Sequence, residues 1–387
     1  MEYLIKTPCG ELRGCATNKQ GVVAYKGIRY ATAGRFEYPR EVTSWEGVYD
    51  ATEYGACAYQ PRSCYNEEEM PKKIFYYNEF RKGETYEYSE DCLFLNVFAP
   101  EKGGEKLPVL VYIHGGGFTG GCGHEKHFDV PVWPQKGMIG VTLNYRLGPL
   151  GFAVLPELKE EAGYTGNYGL YDQMTAIQWV KHNIEAFGGD PENITIMGQS
   201  AGGMSVQQHC LSPLTKGLFQ KAVMCSGGGT SKILAASTPE KSYEFWQMIM
   251  EKCGASNLEE FRQVPVEKLF AVWKENKKHR WVAVAPLALT ADWLLARDMK
   301  LWKEASSITF PTSLVPPATT LCPPFFTQWQ KNGVRHKIPP LTFGSLNATC
   351  PVTTTVRGTL PTCGIGLAHL RTVGDPLRRR TMPLPRR

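Results

Sequence analysis

The sequence predicts an α/β fold with a mostly parallel central sheet flanked by helices. The near-continuous apolar run from Leu107 to His114 is typical of a buried strand. Apolar residues at helical spacing from Leu170 to Ile184 predict an amphipathic helix, and the β-branched stretch Ile194-Thr195-Ile196 follows it. Strand, helix, strand, tight turn and helix in this order favour parallel strands covered by helices.

The remaining elements follow in chain order. Residues 2–25 alternate like edge strands around turns at Cys9-Gly10 and Gly14. The segment 57–92 is polar and rich in Tyr, and we expect it to be a long loop that lies over another part of the molecule. Further strands are predicted over 92–100, 140–146 and 220–226, and helices that form a cap over 238–285.

Composition bounds the class of protein. A chain of 387 residues with 42% hydrophobic and 21% charged residues is typical of a soluble globular protein. The N-terminus has no basic region, apolar segment and cleavage site of a secretory signal, and no apolar run reaches the length of a membrane span. We therefore predict a cytoplasmic protein with reduced cysteines and no membrane partner. None of the 12 cysteines lies in a C-x-x-C pair, so no structural zinc site is predicted.

The charge is unevenly distributed. Residues 301–387 hold 11 of the 43 basic residues but 2 of the 37 acidic ones, so the net charge of +6 comes from this segment. Without an organised basic face, this excess does not predict nucleic-acid binding. From about residue 303, Pro and Thr become frequent and periodicity ends. We predict a domain over 1–302 that is incomplete at its C-terminal end, and a disordered tail over 303–387.

The motif Gly198-Gln199-Ser200-Ala201-Gly202 follows the predicted strand 194–197. It has the pattern of a nucleophile elbow, a sharp strand-to-helix turn with an exposed serine at its apex. The glycines are needed because a side chain at either position would collide with the neighbouring strand or helix. We therefore predict Ser200 as the catalytic nucleophile.

A serine nucleophile also needs a general base, an acid that orients the base, and donors for the tetrahedral oxyanion. His114-Gly115-Gly116-Gly117 follows a strand upstream of the elbow, where such donors are expected. The backbone N–H groups of Gly116, Gly117 and Ala201 are the predicted oxyanion hole.

These motifs resemble the type-B carboxylesterases, an α/β-hydrolase family that includes the cholinesterases. The resemblance covers about residues 3–300 and includes 187–202, 90–97, 27–31, 114–118 and 144–146. It implies hydrolysis of small-molecule carboxylic esters through an acyl-serine intermediate, without metal or cofactor. It also implies ion pairs Arg35–Glu90 and Arg146–Asp172. Cys57 and Cys92 match the ends of a disulfide-closed loop in secreted relatives, and we expect them close together and reduced here.

The sequence departs from the choline-specific branch at two places. Gln199 stands where cholinesterases have Glu, and the segment 57–92 has no Trp that could bind a quaternary ammonium. A general carboxylesterase is therefore favoured, and the oligomeric state is left open.

The triad acid and base have no evident candidates. His124 and His127 are expected to be surface residues, although they could line the site; His209 is expected on the elbow helix and is not the base. Asp292 falls where the family has an Asp-Gly pair and is not taken as the acid. In the family the acid and then the His follow the serine well downstream, and the tail offers His336, His369, Glu304 and Asp375 in no recognisable context.

A frameshift near residues 299–303 would explain this gap. In a reading frame shifted back by one base, codons for 307–312 can encode His-Tyr-Ile-Pro-Tyr. In the same frame, codons for 349–367 can encode a segment that resembles the one around the family's catalytic His. The codon for that His would fall across the codons of Gly358 and Thr359. Codons for 314–320 can likewise give a segment like that of the acid. The chain as written is therefore predicted to be weakly active or inactive. The alternative is a non-catalytic binding or interaction protein on the same fold, which the intact elbow and glycine loop disfavour.

Overall fold

The computed structural model describes residues 2–64, 66, 68–227 and 239–276. The strands in this part of the chain are β1 (Tyr3–Thr7), β2 (Gly10–Ala16), β3 (Val22–Arg29), β4 (Ala31–Thr32), β5 (Arg40–Glu41), β6 (Val48–Asp50), β7 (Cys57–Ala58), β8 (Tyr88–Ser89), β9 (Phe94–Pro100), β10 (Leu107–Ile113), β11 (Ile139–Leu143), β12 (Gly189–Gln199) and β13 (Lys221–Cys225). The α-helices are α1 (Ile74–Phe80), α2 (Gly148–Phe152), α3 (Pro156–Ala162), α4 (Tyr168–Asn183), α5 (Ala201–Leu211), α6 (Tyr243–Lys252), α7 (Leu258–Gln263) and α8 (Val266–Glu275).

One large sheet dominates the structure, with strand order β1-β2-β3-β9-β11-β10-β12-β13 and β6 beside β2. The strands β11, β10, β12 and β13 are parallel. The strands β1, β2, β3 and β9 are joined antiparallel, and β9 is antiparallel to β11. The predicted α/β architecture is confirmed, with parallel strands in the half that contains the serine motif and antiparallel strands in the other half.

The prediction of a turn at Gly14 is wrong. Gly14 lies inside β2, paired with Tyr3, and the chain turns at residues 17–21 instead. A Cβ at Gly14 would lie 2.7 Å from the carbonyl oxygen of Ala24 and from the ring of Tyr25. The glycine therefore permits the close approach of β3 and does not mark a turn.

Two apolar clusters form most of the core. The first lies against the sheet and includes Trp179 and Ile177 of α4, the helix that the apolar spacing predicts. The second joins α6, α7 and α8 to α2 and α3, and includes Trp246, Phe261 and Trp273. The helices predicted over 238–285 are thus confirmed between residues 239 and 276, and their role as a cap stays a prediction. The predicted domain boundary at 302 and the disordered tail lie outside the described residues.

Both predicted ion pairs are confirmed. Arg146 and Asp172 are 4% and 0% exposed, with Nη2 2.7 Å and Nε 2.9 Å from the carboxylate oxygens. The Nε of Arg35 lies 2.8 Å from Glu90, and its Nη1 also donates to the backbone oxygen of Val264 after α7. The first pair is therefore buried and includes a residue of α4, and the second also contacts the C-terminal end of α7.

Within the described residues, each helix is too short or too polar to cross a membrane.

Candidate active site

Ser200 lies at the turn between β12 and α5, with φ 56° and ψ −120°. The Ser200 N–H donates to the carbonyl oxygen of Cys225 at 2.9 Å. The carbonyl oxygen of Ser200 accepts the N–H of Met204, also at 2.9 Å. A positive φ is costly for a residue with a side chain, so these two contacts hold the serine in a strained conformation. The turn is the one that the sequence motif predicts.

The glycines on either side of Ser200 have no room for a side chain. A Cβ on Gly198 would lie 2.3 Å from the backbone of Gly202. A Cβ on Gly202 would lie 2.0 Å from the carbonyl oxygen of Ile113, at the end of β10. The steric reason given for the two glycines therefore holds in the structure: β10 and α5 pack against the turn.

The glycine loop after β10 lies directly beside this turn. A Cβ on Gly115 would lie 2.5 Å from the carbonyl oxygen of Gln199 and 3.2 Å from the Cβ of Ser200. Gly116 and Gly117 are exposed, with φ 111° and 64°. Their backbones can reach these conformations because they have no Cβ. The structure thus brings the predicted donor loop next to the predicted nucleophile.

Ala201 is the first residue of α5 and is buried. The first N–H groups of a helix have no acceptor within the helix and are available to an anion. The N–H of Ala201 is therefore free of the intrahelical ladder at the position expected for an oxyanion donor. Within the described part of the chain, no side chain hydrogen-bonds to the Ser200 hydroxyl.

His114 precedes the glycine loop but is a buried structural residue. Its ring stacks on Tyr145 at 4.4 Å, and its Nδ1 lies 2.8 Å from the carbonyl oxygen of Gly115. Burial lowers the pKa of His114 to about 4, so the ring is neutral near pH 7. The Tyr145 hydroxyl donates to the His114 carbonyl oxygen at 2.9 Å and fixes the start of the loop.

The expectation that His124 and His127 lie on the surface is wrong. Both are half-buried, because segment 57–92 and the residues before it fold over them. His124 stacks on Tyr54 at 4.4 Å, and His127 contacts Phe80 at 4.7 Å. Burial lowers the pKa of His124 to about 4 and also lowers that of His127.

His209 lies on α5, as the sequence predicts. Its Nε2–H donates to the side-chain oxygen of Gln173 at 2.9 Å, and burial lowers its pKa to about 3. A neutral, buried imidazole that is bonded to α4 is consistent with a structural role. His336, His369, Glu304, Asp375 and Asp292 lie outside the described residues.

A buried ionic cluster beside the glycine loop has no counterpart in the sequence predictions. Glu125 is 8% exposed and lies 2.8 Å from Arg62 and 3.3 Å from Arg81. The two guanidinium groups outweigh burial and lower the pKa of Glu125 to about 2. Nothing in the local sequence signals this cluster, because its members come from separate parts of the chain.

Cys57 and Cys92 form no disulfide in the structure, and no hydrogen bond joins their two thiols. The thiol of Cys57 lies within 4.8 Å of the Cys122 thiol and of a ring nitrogen of His124. Cys92 is fully buried, and burial, together with the carboxylate of Asp172, raises the pKa of its thiol. The pairing implied by secreted relatives is therefore replaced here by a contact between Cys57 and Cys122.

Comparison with known proteins identifies the family. A model of the carboxylesterase family matches residues 2–312. The chain belongs to this family. It is 43% identical over 244 residues to a para-nitrobenzyl esterase of Bacillus subtilis, covering 61% of this chain and 46% of the relative. It is 34% identical over 275 residues to a cholinesterase of Mus musculus, covering 68% of this chain and 43% of the relative.

Solved structures agree with this assignment. A PNB esterase superposes with a TM-score of 0.59 at 39% identity, over 70% of this chain and 53% of its own. A thermophilic PNB esterase gives a TM-score of 0.62 at 38% identity, over 72% and 55%. The α/β-hydrolase fold is therefore confirmed. This chain spans about half the length of the relatives that it matches.

Proposed function

We propose that this carboxylesterase-family chain belongs to an enzyme that hydrolyses carboxylic esters through an acyl-serine intermediate formed on Ser200. The observation that carries the proposal is the position of Ser200, with φ 56°, beside the glycine loop. A serine hydroxyl held at the apex of a strained turn is accessible to a substrate carbonyl carbon from the side of the exposed glycines.

Gly116, Gly117 and Ala201 are the proposed oxyanion donors. The loop after β10 and the start of α5 converge on Ser200, so three backbone N–H groups can face one oxygen atom. Loss of one such donor typically costs about 3 kcal/mol of transition-state stabilisation. Backbone donors need no reorganisation during the reaction, because the sheet and helix fix them.

The proposal assigns the general base and its acid to none of the described residues. His114 and His209, the buried histidines nearest to the elbow in sequence, are neutral and bonded to other groups. The sequence prediction that a frameshift removed the acid and the base falls on residues outside the described part. We propose that the chain as written keeps only the residual acceleration of an oxyanion hole and binding, about 10³–10⁴-fold over water.

The test compares three proteins with a fluorophosphonate probe, which labels a serine that a working base activates. They are the chain as written, the same gene with the reading frame restored by one base, and the restored chain with Ser200→Ala. We expect labelling of the restored chain alone, mapped to Ser200 by peptide mass spectrometry.

Each other outcome has a defined meaning. Labelling of the chain as written would contradict the inactive form of the proposal. Labelling of the restored Ser200→Ala chain would contradict the choice of nucleophile. A restored chain that folds but is not labelled would favour the non-catalytic binding protein.

The substrate class follows from the same relatives. We propose small uncharged esters, and para-nitrobenzyl esters are the first substrates to test, because a para-nitrobenzyl esterase is similar over 244 residues. Choline esters are disfavoured by Gln199 before the serine and by the absence of Trp from 57–92. The absence of a cofactor and of nucleic-acid and membrane partners, and the cytoplasmic location, stay predictions.

A further inference from the structure

The loop that follows the glycine motif contains a cluster of soft metal ligands. Cys57 of β7 meets Cys122 and His124, and their sulfur and ring nitrogen atoms all lie within 4.8 Å of one another. Cys57 and Cys122 are 1% and 2% exposed, and His124 is half-buried. No other group of three such residues is found in the described part of the chain.

The spacing of these atoms fits one ion. The Cys57 Sγ and the His124 Nε2 are 3.5 Å apart. With zinc–sulfur and zinc–nitrogen bonds of about 2.3 and 2.0 Å, two ligands of a tetrahedral ion are about 3.5 Å apart. The thiols of Cys57 and Cys122 lie within 4.8 Å of each other. The three ligand atoms are therefore close enough together to bind the same ion.

Two amide side chains fix the backbone on both sides of each cysteine. The side-chain NH₂ of Gln60 donates to the carbonyl oxygens of Ala58 and Gly121 at 3.0 and 3.1 Å. The side-chain oxygen of Gln60 accepts the Gly121 N–H at 3.0 Å. Gln60 thus joins the residue after Cys57 to the residue before Cys122.

Asn144 makes the matching connection on the other side. Its amide group donates to the carbonyl oxygen of Ala56 at 2.9 Å, and its oxygen accepts the Gly123 N–H at 2.8 Å. Asn144 thus joins the residue before Cys57 to the residue after Cys122. Because the backbone on both sides of Cys57 and of Cys122 is fixed before any ion binds, the two thiols are preorganised.

The surroundings fix the orientation of the ring and place one guanidinium near the thiols. His124 is held between Tyr54 and Tyr86, at ring distances of 4.4 and 5.6 Å, so its Nε2 faces Cys57 in a fixed orientation. The guanidinium of Arg62 lies close enough to interact electrostatically with both thiols. Arg62 is itself paired with Glu125, and the neighbouring Cys122 thiol and burial raise the pKa of Cys57, so a bound ion would have to displace the thiol protons.

We propose that Cys57, Cys122 and His124 form a site for a single thiophilic divalent ion, Zn²⁺ in its simplest form, with water at the fourth position. Two thiolates and one neutral imidazole are ligands that zinc prefers. The sequence hides the site because Cys57 is far along the chain from the other two ligands. A bound ion would join β7 to the loop that starts at Gly115, and would restrain the glycine loop without touching Ser200.

Cobalt substitution tests the proposal on the full chain, purified with a phosphine reductant and freed of metal. Co²⁺ in a tetrahedral thiolate site gives intense visible bands and an ultraviolet thiolate-to-metal band. We expect one equivalent of Co²⁺ to produce both, and Zn²⁺ to displace it. This readout does not require esterase activity, so it is independent of the proposed reaction.

Matched variants locate the site. Cys122→Ser and His124→Gln are expected to weaken binding more than about 100-fold, because even indirect partners of metal ligands contribute 10–100-fold. Cys15→Ser and His182→Gln remove the same groups outside the cluster and are expected to bind normally. Cobalt bands that persist in both cluster variants would overturn the proposal.

A measurement on the unaltered chain covers the case in which a variant fails to fold. Cysteine alkylation with and without Zn²⁺, mapped by mass spectrometry, is expected to show protection at Cys57 and Cys122 and not at Cys15. Equal alkylation of all three with Zn²⁺ would overturn the proposal. So would a Cys57–Cys122 disulfide in a protein that takes up no cobalt, since that result makes the pair a redox couple.

Discussion

Replacing Asp172 by Asn is expected to be among the most destabilising single-atom changes in this carboxylesterase-family chain. Asp172 accepts the N–H, Nε and Nη2 of Arg146 at 3.0, 2.9 and 2.7 Å. The remaining Nη1 donates to the carbonyl oxygens of Gly34 and Glu37. In the variant one carboxylate oxygen becomes an NH₂ group that faces the guanidinium, and the positive charge stays buried.

The magnitude follows from burial. The two side chains are 4% and 0% exposed, so water cannot solvate Arg146 after its partner is neutralised. Removal of one partner of a buried pair costs about 3–5 kcal/mol of unfolding free energy. The control is Glu161→Gln. Glu161 makes a two-bond pair with Arg262, but the side chains are 52% and 23% exposed, and such pairs contribute at most about 1 kcal/mol.

The assay is urea denaturation of the parent chain and both variants at pH 7.5, followed by circular dichroism. We expect the midpoint to fall several times further for Asp172→Asn than for Glu161→Gln. Equal losses, or a loss below about 1.5 kcal/mol for Asp172→Asn, would show that burial does not decide the strength of these two pairs, and the reasoning would fail.

Three further predictions use the same denaturation assay. His209 has a pKa of about 3 when folded and about 6.5 when unfolded, so the unfolded chain takes up the proton first as pH falls, and stability declines below about pH 6.5. His209→Gln should therefore reduce the loss of stability between pH 8 and pH 5 by about 2 kcal/mol, and an unchanged pH dependence would contradict this. Gly202→Ala should prevent folding of the elbow, because the new Cβ would lie 2.0 Å from the carbonyl oxygen of Ile113. The control is Gly163→Ala, at φ 82° with open space around it, which should cost about 1–2 kcal/mol of unfolding free energy. Similar losses for both variants would be evidence against the clash. Ile196→Ala, at a fully buried position in β12, should cost about 2–5 kcal/mol, and a loss under 1 kcal/mol would mean that the core repacks.

Local patterns predicted the part of the fold around Ser200 well. The strands at 107–113 and 221–225, the helix at 168–183 and the turn at Ser200 depend on apolar spacing and on glycines within a few residues. Such signals are contained in the sequence because the physical cause is local. The pairs Arg35–Glu90 and Arg146–Asp172 required a different source, the resemblance to the family.

The errors occurred where distant segments meet. Gly14 has the composition of a turn, yet it is needed because Tyr25 of another strand approaches it. The sequence predicts His124 and His127 as surface loop residues, but segment 57–92 and its neighbours cover them. Cys57 contacts Cys122 because two amide side chains bring their segments together. No window of sequence around any of these residues contains its partner.

The conformation of Ser200 depends on the scaffold, so sequence changes in the scaffold and in the outer segments have different consequences. Its backbone is fixed by β13 through Cys225 and by the first turn of α5, which are parts of the scaffold. Segment 57–92 is joined by Gln60 to Gly121, in the loop that follows the glycine motif. Laboratory selection for a new ester can therefore vary the exposed positions of segment 57–92, while any accepted change near β12, β13 or α5 will have to preserve the same backbone angles.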